Sequence, residues 1–318
     1  MNDEGFPPGP TATPALEAPV PEWFQAAVTT PVESRRVRAG ECAVHYLYWP
    51  ETSAARGAIN AAGGLLFLHG GGSHANWWRF IAPFMTGGRP AAAMDLSGMG
   101  DSGHRSVYSA DLRAEEIQAV LDDAGFMTPG RAAPILVGHS FGGLTAMRYA
   151  ALHGERLGGF VIAESPVRAP AAERVHLASR RDARPLRRAY ESYGDAWRRF
   201  RLRPRQSCRN DYIVEFIARH SVRRVEGGWT WKFDPVALTR DRHREPFRDY
   251  LRAVGCRTAF VYGERSALCT PEVLAYTRTL LPAETPFVGI PEGQHHLILD
   301  EPLAFVSALR AVLAGWGA

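Results

Sequence analysis

Cysteine is scarce: Cys42, Cys208, Cys256 and Cys269 are the only four in 318 residues, they are scattered, and none forms a C-x-x-C pair. That pattern argues against a disulfide framework and a thiolate zinc site, and makes a reducing cytoplasm the expected compartment. No stretch of eighteen residues is both apolar and uncharged, so no membrane-spanning helix and no membrane partner are expected. The first residues, MNDEGFPPGPTATPALEAPVPEW, begin acidic and proline-rich without an apolar segment, and do not read as a secretion signal. Also missing are H-E-x-x-H, a P-loop, and a dinucleotide G-x-G-x-x-G in its strand–helix setting. A zinc peptidase, a nucleoside triphosphatase and a nicotinamide enzyme are therefore not expected, and no metal or other cofactor is implied.

What is present describes a globular chain. Hydrophobic residues make up 46% and charged residues 22%, enough apolar material for one large domain or a core with an insertion. The net charge of +4 is uneven. Residues 168–254 hold 21 Arg and Lys232 against 11 acidic residues, so this one segment carries +11 and the remainder −7. A block of this kind suggests a separate structural unit with arginines on solvated helix faces, and it could also attract anionic substrates. No nucleic-acid reading motif accompanies it, so nucleic acid is not an expected partner.

Residues 1–35 read as a flexible, Pro-rich tail that ends in a docking segment around Trp23 and Phe24. Strand and helix signals then alternate. Val44–Trp49 alternates as a strand. Leu65–Leu68, Ala91–Met94, Pro134–Val137 and Phe160–Ala163 are short apolar runs of the kind a buried parallel strand needs. Between them, Ala110–Ala124 and Leu144–His153 have helical spacing. The rhythm breaks at Val167 and resumes with a strand at Thr258–Tyr262, a helix at Pro271–Leu281, a strand at Phe287–Ile290 and a helix at Leu303–Leu313. The pattern predicts a doubly wound, mostly parallel α/β sheet, residues 36–167 and 255–318, with an Arg-rich helical lid at 168–254.

Three motifs sit where such a sheet binds ligands, at the carboxyl ends of its strands. Gly138-His139-Ser140-Phe141-Gly142 lies directly between an apolar strand and a helix, the context of a nucleophile elbow. The turn is so tight that the residues two before and two after the serine must lack side chains. His69-Gly70-Gly71-Gly72 follows another strand, and its backbone can approach a developing oxyanion. The expected donors are the N–H groups of Gly71 and Phe141. Gly293-Gln294-His295-His296 follows the last strand and offers a general base late in the chain.

Taken in order, LHGGG (68–72), Asn76-Trp77-Trp78, MDLSGMGDSG (94–103), VGHSFGG (137–143), VYGERS (261–266) and His295–Pro302 resemble the α/β-hydrolase superfamily from about Arg36 to the end. The resemblance implies a Ser-His-acid hydrolase with Ser140 as nucleophile. It selects His295 over His296, because the catalytic histidine of relatives lies seven residues before a proline matching Pro302. His296 is then expected to pack beside it. The acid departs from the family pattern. Most relatives carry an Asp in the segment matching Gly263-Glu264-Arg265-Ser266, but that position here is Ser266, which cannot balance an imidazolium. Some members place the acid one strand earlier, and there this chain has Glu164, an arrangement that also resembles lactone hydrolases of the zearalenone-degrading type. Glu164 is favoured and Glu264 is the rival. Epoxide hydrolases and haloalkane dehalogenases need Asp where Ser140 stands.

The remaining residues are assigned around that site. Asp95 is expected to shape the scaffold, His104 to lie on a surface loop and His139 to pack. Of Trp77 and Trp78 one belongs to the core and one to the pocket; Trp78 is carried as substrate-binding, with Trp229 and Trp231 of the lid. The expected reaction is hydrolysis of a carboxylic ester or lactone by Ser140, His295 and Glu164 on an apolar or aromatic small molecule, in a chain that could form a homodimer. C–C bond hydrolysis or acyl transfer by the same triad, and ligand binding without catalysis, are the alternatives.

Overall fold

The computed structural model describes residues 19–51, 62–173, 189–238 and 245–318. In chain order its strands are β1 (Glu33–Ala39), β2 (Cys42–Trp49), β3 (Leu65–Leu68), β4 (Ala91–Met94), β5 (Ile135–His139), β6 (Gly159–Ala163), β7 (Val222–Val225), β8 (Gly228–Trp231), β9 (Thr258–Gly263) and β10 (Phe287–Ile290). Eight of them form one sheet in the order β1-β2-β4-β3-β5-β6-β9-β10, and β7 and β8 form a separate ribbon. Pairing is antiparallel from β1 through β2 to β4 and parallel from β4 to β10.

The parallel strands form where the apolar runs predicted them. Every residue of β3, β4, β5 and β6 is buried, because helices cover both faces of the sheet. Alternation decides which face each residue serves: Leu65 and Phe67 join one core cluster, Leu66 and Leu68 the other. The first cluster lies under α1 (Glu22–Thr29), the turn carrying Trp77 and Trp78, and the C-terminal helix Pro302–Gly315. The second lies under α2 (Ala110–Asp123) and α3 (Phe141–His153). From β3 the chain steps to β4 on one side and then crosses to β5 on the other. At such a reversal, here the carboxyl ends of β3 and β5, open α/β sheets place their ligand crevice.

In the amino-terminal region the expected docking segment around Trp23 and Phe24 is present as a helix, and the chain from there to residue 35 is helix and edge strand rather than tail. From residue 19 the described chain is docked: α1 buries Phe24, Ala27 and Val28, and Phe24 packs on Phe80 and Phe216. Strand β1 follows as the sheet edge. Its sequence, ESRRVRA, has one solvated face and only Ala39 fully buried, so it carries no apolar run to announce it. Residues 1–18 lie outside the described residues.

The segment between β6 and β9 also departs from the helical expectation. It contains short helices at Tyr193–Trp197, Asp211–His220 and Phe247–Arg252, but also the β7–β8 ribbon. The ribbon turns at Gly227-Gly228, whose φ values of 79° and 138° suit a hairpin and exclude most other residues. The expected lid falls partly outside the described residues, at 174–188 and 239–244. Among the described residues no helix is long and apolar enough to cross a membrane.

One buried carboxylate ties these parts together. Asp95, at the end of β4, accepts from His45 Nδ1 at 2.7 Å, from the Ala75 N–H at 2.6 Å and from the Asp101 N–H at 2.8 Å. Burial alone would push its carboxyl up, but His45 and the backbone donors outweigh burial and hold it well below the usual carboxylate range. A Cβ on Gly100 would lie 2.1 Å from Asp95 Cγ, so the loop can close over the carboxylate only with glycine there. The same loop receives the ribbon. The Gly100 N–H donates to the Lys232 carbonyl at 2.7 Å, the Asp234 N–H donates to the Gly98 carbonyl at 2.6 Å, and Lys232 Nζ meets Asp101 at 2.7 Å. Replacing Asp95 by Ala would strand His45 and two buried N–H donors, so a loss of about 3–5 kcal/mol is expected. Urea unfolding near neutral pH measures it, and a loss below about 1 kcal/mol would contradict this account.

Candidate active site

Ser140 and Glu164 are neighbours because of strand register. Gly138 pairs with Ile162 and His139 with Ala163, so each of the two residues is the first beyond the paired end of its strand. Both adopt a φ of 52°, a conformation that non-glycine residues take at a cost of about 1–3 kcal/mol and keep only where the surroundings impose it. At Ser140 the surroundings are the elbow. A Cβ on Gly138 would meet Gly143 Cα at 2.6 Å, and one on Gly142 would meet the Leu68 and His69 carbonyl oxygens at 2.5 Å. The two glycines let α3 begin directly against the end of β3. Ser140 stays half-buried at the mouth of the crevice, with its N–H on the Ala163 carbonyl at 2.9 Å.

His295 comes from the loop after β10. Its Nε2 lies 2.9 Å from Ser140 Oγ, and its Nδ1 lies 3.5 Å from Glu164 Oε1, long for a hydrogen bond. Glu164 is fully buried. Its Oε2 accepts the Gly263 N–H at 2.9 Å, and Oε1 accepts the hydroxyl of Ser266. The rival acid, Glu264, is exposed, with its side chain over Gly289 of β10. In the sequence Ser266 carries no charge and so does not qualify as the acid. Its position as the residue where an acid was missing was the signal that could have marked it.

The imidazoles around His295 are neutral by construction. His139 Nε2 donates to the His295 carbonyl at 2.9 Å, which leaves Nδ1 without a proton, and burial together with His295 lowers its pKa to about 3. His296 is buried against Trp77, and burial keeps it well below the ordinary imidazole value. Ring nitrogens of His139, His295 and His296 all lie within 4.8 Å of one another and could hold a soft divalent ion. The nitrogens of His295 are already turned to Ser140 and Glu164, which suits a base rather than a ligand. In the other acid–histidine group, His45, Asp95 and Asp101, the Asp95 oxygens are taken up by the donors described above.

The glycine loop after β3 stands beside the elbow. A Cβ on Gly70 would lie 3.2 Å from His139 Nδ1 and 3.5 Å from Ser140 Cβ. The next residue is Gly71, whose N–H meets no acceptor among the described residues. Phe141 opens α3, so its N–H belongs to the first turn of the helix.

The tryptophans sort differently from the expectation. Trp78 is fully buried among Phe67 and Phe305 in the core. Trp77 is its counterpart at the site, stacked on His139 and tilted over His296. Trp229 packs on Tyr193, and Trp231 on Tyr190 and Phe200, all within the same segment. His104 sits on a surface loop near Asp234 and Arg223.

A family model described as the alpha/beta hydrolase family matches residues 65–309. The chain is 29% identical over 299 residues to the esterase Rv0045c of Mycobacterium tuberculosis, over 91% of this chain and 92% of that one. A crystal structure of that esterase has a TM-score of 0.64 and 27% identity, over 91% of this chain and 94% of the other. E-2-(acetamidomethylene)succinate hydrolase has a TM-score of 0.71 over 89% of this chain and all of that one, and at 21% identity the likeness is one of fold.

His69, His74, His139, His220 and His296 are all held below the ordinary imidazole value, with burial the first cause in each. Unfolded, they take up protons below about pH 6.5, whereas the folded chain resists. Their contribution to stability is complete above that value and drains away as pH falls toward the folded values, about 3 for His139. The melting temperature is therefore expected to drop between about pH 7.5 and pH 5. A flat or rising profile would mean that these imidazoles protonate without unfolding the chain.

Proposed function

As a member of the alpha/beta hydrolase family, the chain is a hydrolase, and we propose that it cleaves a carboxylic ester or lactone with Ser140, His295 and Glu164 as its triad. The observation that carries this reading is the 2.9 Å approach of Ser140 Oγ to His295 Nε2 at a strained elbow. The esterase relative supports the ester as substrate class.

In this reading Ser140 Oγ attacks the carbonyl carbon while its proton passes to His295 Nε2. The Glu164 carboxylate, on the Nδ1 side, holds the tautomer and balances the imidazolium. The N–H groups of Gly71 and Phe141 receive the negative oxygen as the tetrahedral intermediate forms. When the intermediate collapses, His295 returns the proton to the departing alkoxide and an acyl-Ser140 remains. His295 then takes a proton from water, the hydroxide attacks the acyl carbon, and the acid is released as Ser140 recovers its proton. An apolar or aromatic substrate is the expected class, Trp77 standing beside the triad against His139 and His296. Nothing in the sequence of steps calls for a metal or cofactor.

A fluorophosphonate should label Ser140 stoichiometrically, as mapped by mass spectrometry, and Ser140→Ala should abolish both labelling and hydrolysis. Absence of labelling on the folded protein would sink the triad and leave a binding role. Glu164→Gln is expected to lower kcat roughly 10²- to 10⁴-fold, whereas Glu264→Gln stays within about threefold of the parent. The opposite ranking would move the acid to the end of β9.

A further inference from the structure

The residue at the usual acid position is not idle. The hydroxyl of Ser266 donates to Glu164 Oε1, the same oxygen that faces His295 Nδ1. Ser266 Oγ in turn accepts the N–H groups of Leu268 and Cys269, each at 3.0 Å. With its oxygen occupied by two backbone donors, the hydroxyl has its proton to give, and the carboxylate is where it goes. The Gly263 N–H holds the other carboxylate oxygen at 2.9 Å. A carboxylate that starts from β6 is thus held by two donors from the end of β9. Among the described residues its ion-pair partner is His295.

We propose that Ser266 is a positioning residue for the triad acid, so that Glu164 and Ser266 together do from two strands what one carboxylate does at the end of β9 in most relatives. The proposal rests on the triad reading above. Two consequences follow from the hydrogen bond itself. It fixes the carboxylate rotamer that reaches His295, and it draws electron density from the oxygen that faces Nδ1. Without it the carboxylate is looser but more basic toward His295, so the imidazole holds its proton to higher pH. Of the other titratable groups facing the pair, the Cys269 thiol also meets Glu164. His139 from β5 and the adjacent His296 are held neutral by burial. Cys269, beyond Ser266, has its thiol pushed up by burial and then by the charge of Glu164 and a hydrogen bond to it, with Arg168 opposing, and it stays protonated as a weak third donor to the carboxylate.

The test is the steady-state hydrolysis of p-nitrophenyl butyrate across pH by the full chain. Ser266→Ala should lower kcat about tenfold with KM nearly unchanged, and should move the acid limb of kcat/KM upward by a few tenths to about one pH unit. Ser266→Thr, which keeps the hydroxyl, should restore both. Glu164→Ala with Ser266→Asp, which returns a carboxylate to the usual strand, should exceed Glu164→Ala alone at least tenfold. A Ser266→Ala enzyme with the parent kcat and an unmoved limb overturns the proposal. If that variant does not fold, the double variant decides, and no gain over Glu164→Ala alone overturns it too. If Ser140→Ala and Glu164→Gln both keep activity, it is the triad reading that fails, a result separable from either of these.

Discussion

The parallel register between β5 and β6 is the constraint on which the site depends. It sets Ser140 and Glu164 side by side, one residue past the last paired positions, and turns both into the crevice where the strand order reverses. A slip of one residue would reverse the facing of every side chain on the slipped strand. It would send Phe160 and Ile162 to the wrong core cluster and withdraw the carboxylate from His295. The apolar alternation that builds the two cores therefore also aligns the catalytic candidates, and stability and chemistry are set by the same pairing. The left-handed backbone at both positions fits this view, since neighbouring strands leave the two residues no other path out of the sheet.

The sheet was legible because buried parallel strands are apolar throughout and short, and Leu65–Leu68, Ala91–Met94 and Phe287–Ile290 stand where their runs predicted. Strand β1 was not legible, since an edge strand with a solvated face looks like a polar linker. The ribbon β7–β8 was hidden by the arginine-rich composition around it, although Gly227-Gly228 carried the turn. At the site, Ser140 and His295 could be found because sharp backbone turns and family spacing constrain them. Glu164 could be found only through what stands at position 266. The pair Trp77 and Trp78 could not be resolved, because adjacent residues in a tight helical turn project to different sides and which side is the core depends on the sheet beneath.

A second buried carboxylate supports the first at a distance. Asp95 organises the loop after β4 through donors from three separate segments, and that loop is the seat for the inserted ribbon. His74 extends the same contact, its Nε2 lying 2.9 Å from Ser221 Oγ at the start of the ribbon. The inserted segment is thus joined to the core through these hydrogen bonds and the Lys232–Asp101 ion pair as well as through Ile213, Phe216 and Ile217, which lie buried in the first core cluster.

The ion pair between Lys232 and Asp101 has a practical side. Lys232 is the only lysine in the chain, and its side chain is 10% exposed where the ribbon meets the core loop. Apart from the amino terminus, every primary amine that a reagent could find is therefore this one group, engaged by a carboxylate while the ribbon is seated. The chain carries its own single-site reporter, and the rate at which an amine-directed dye reaches that position reads out how firmly the ribbon is seated on the core loop.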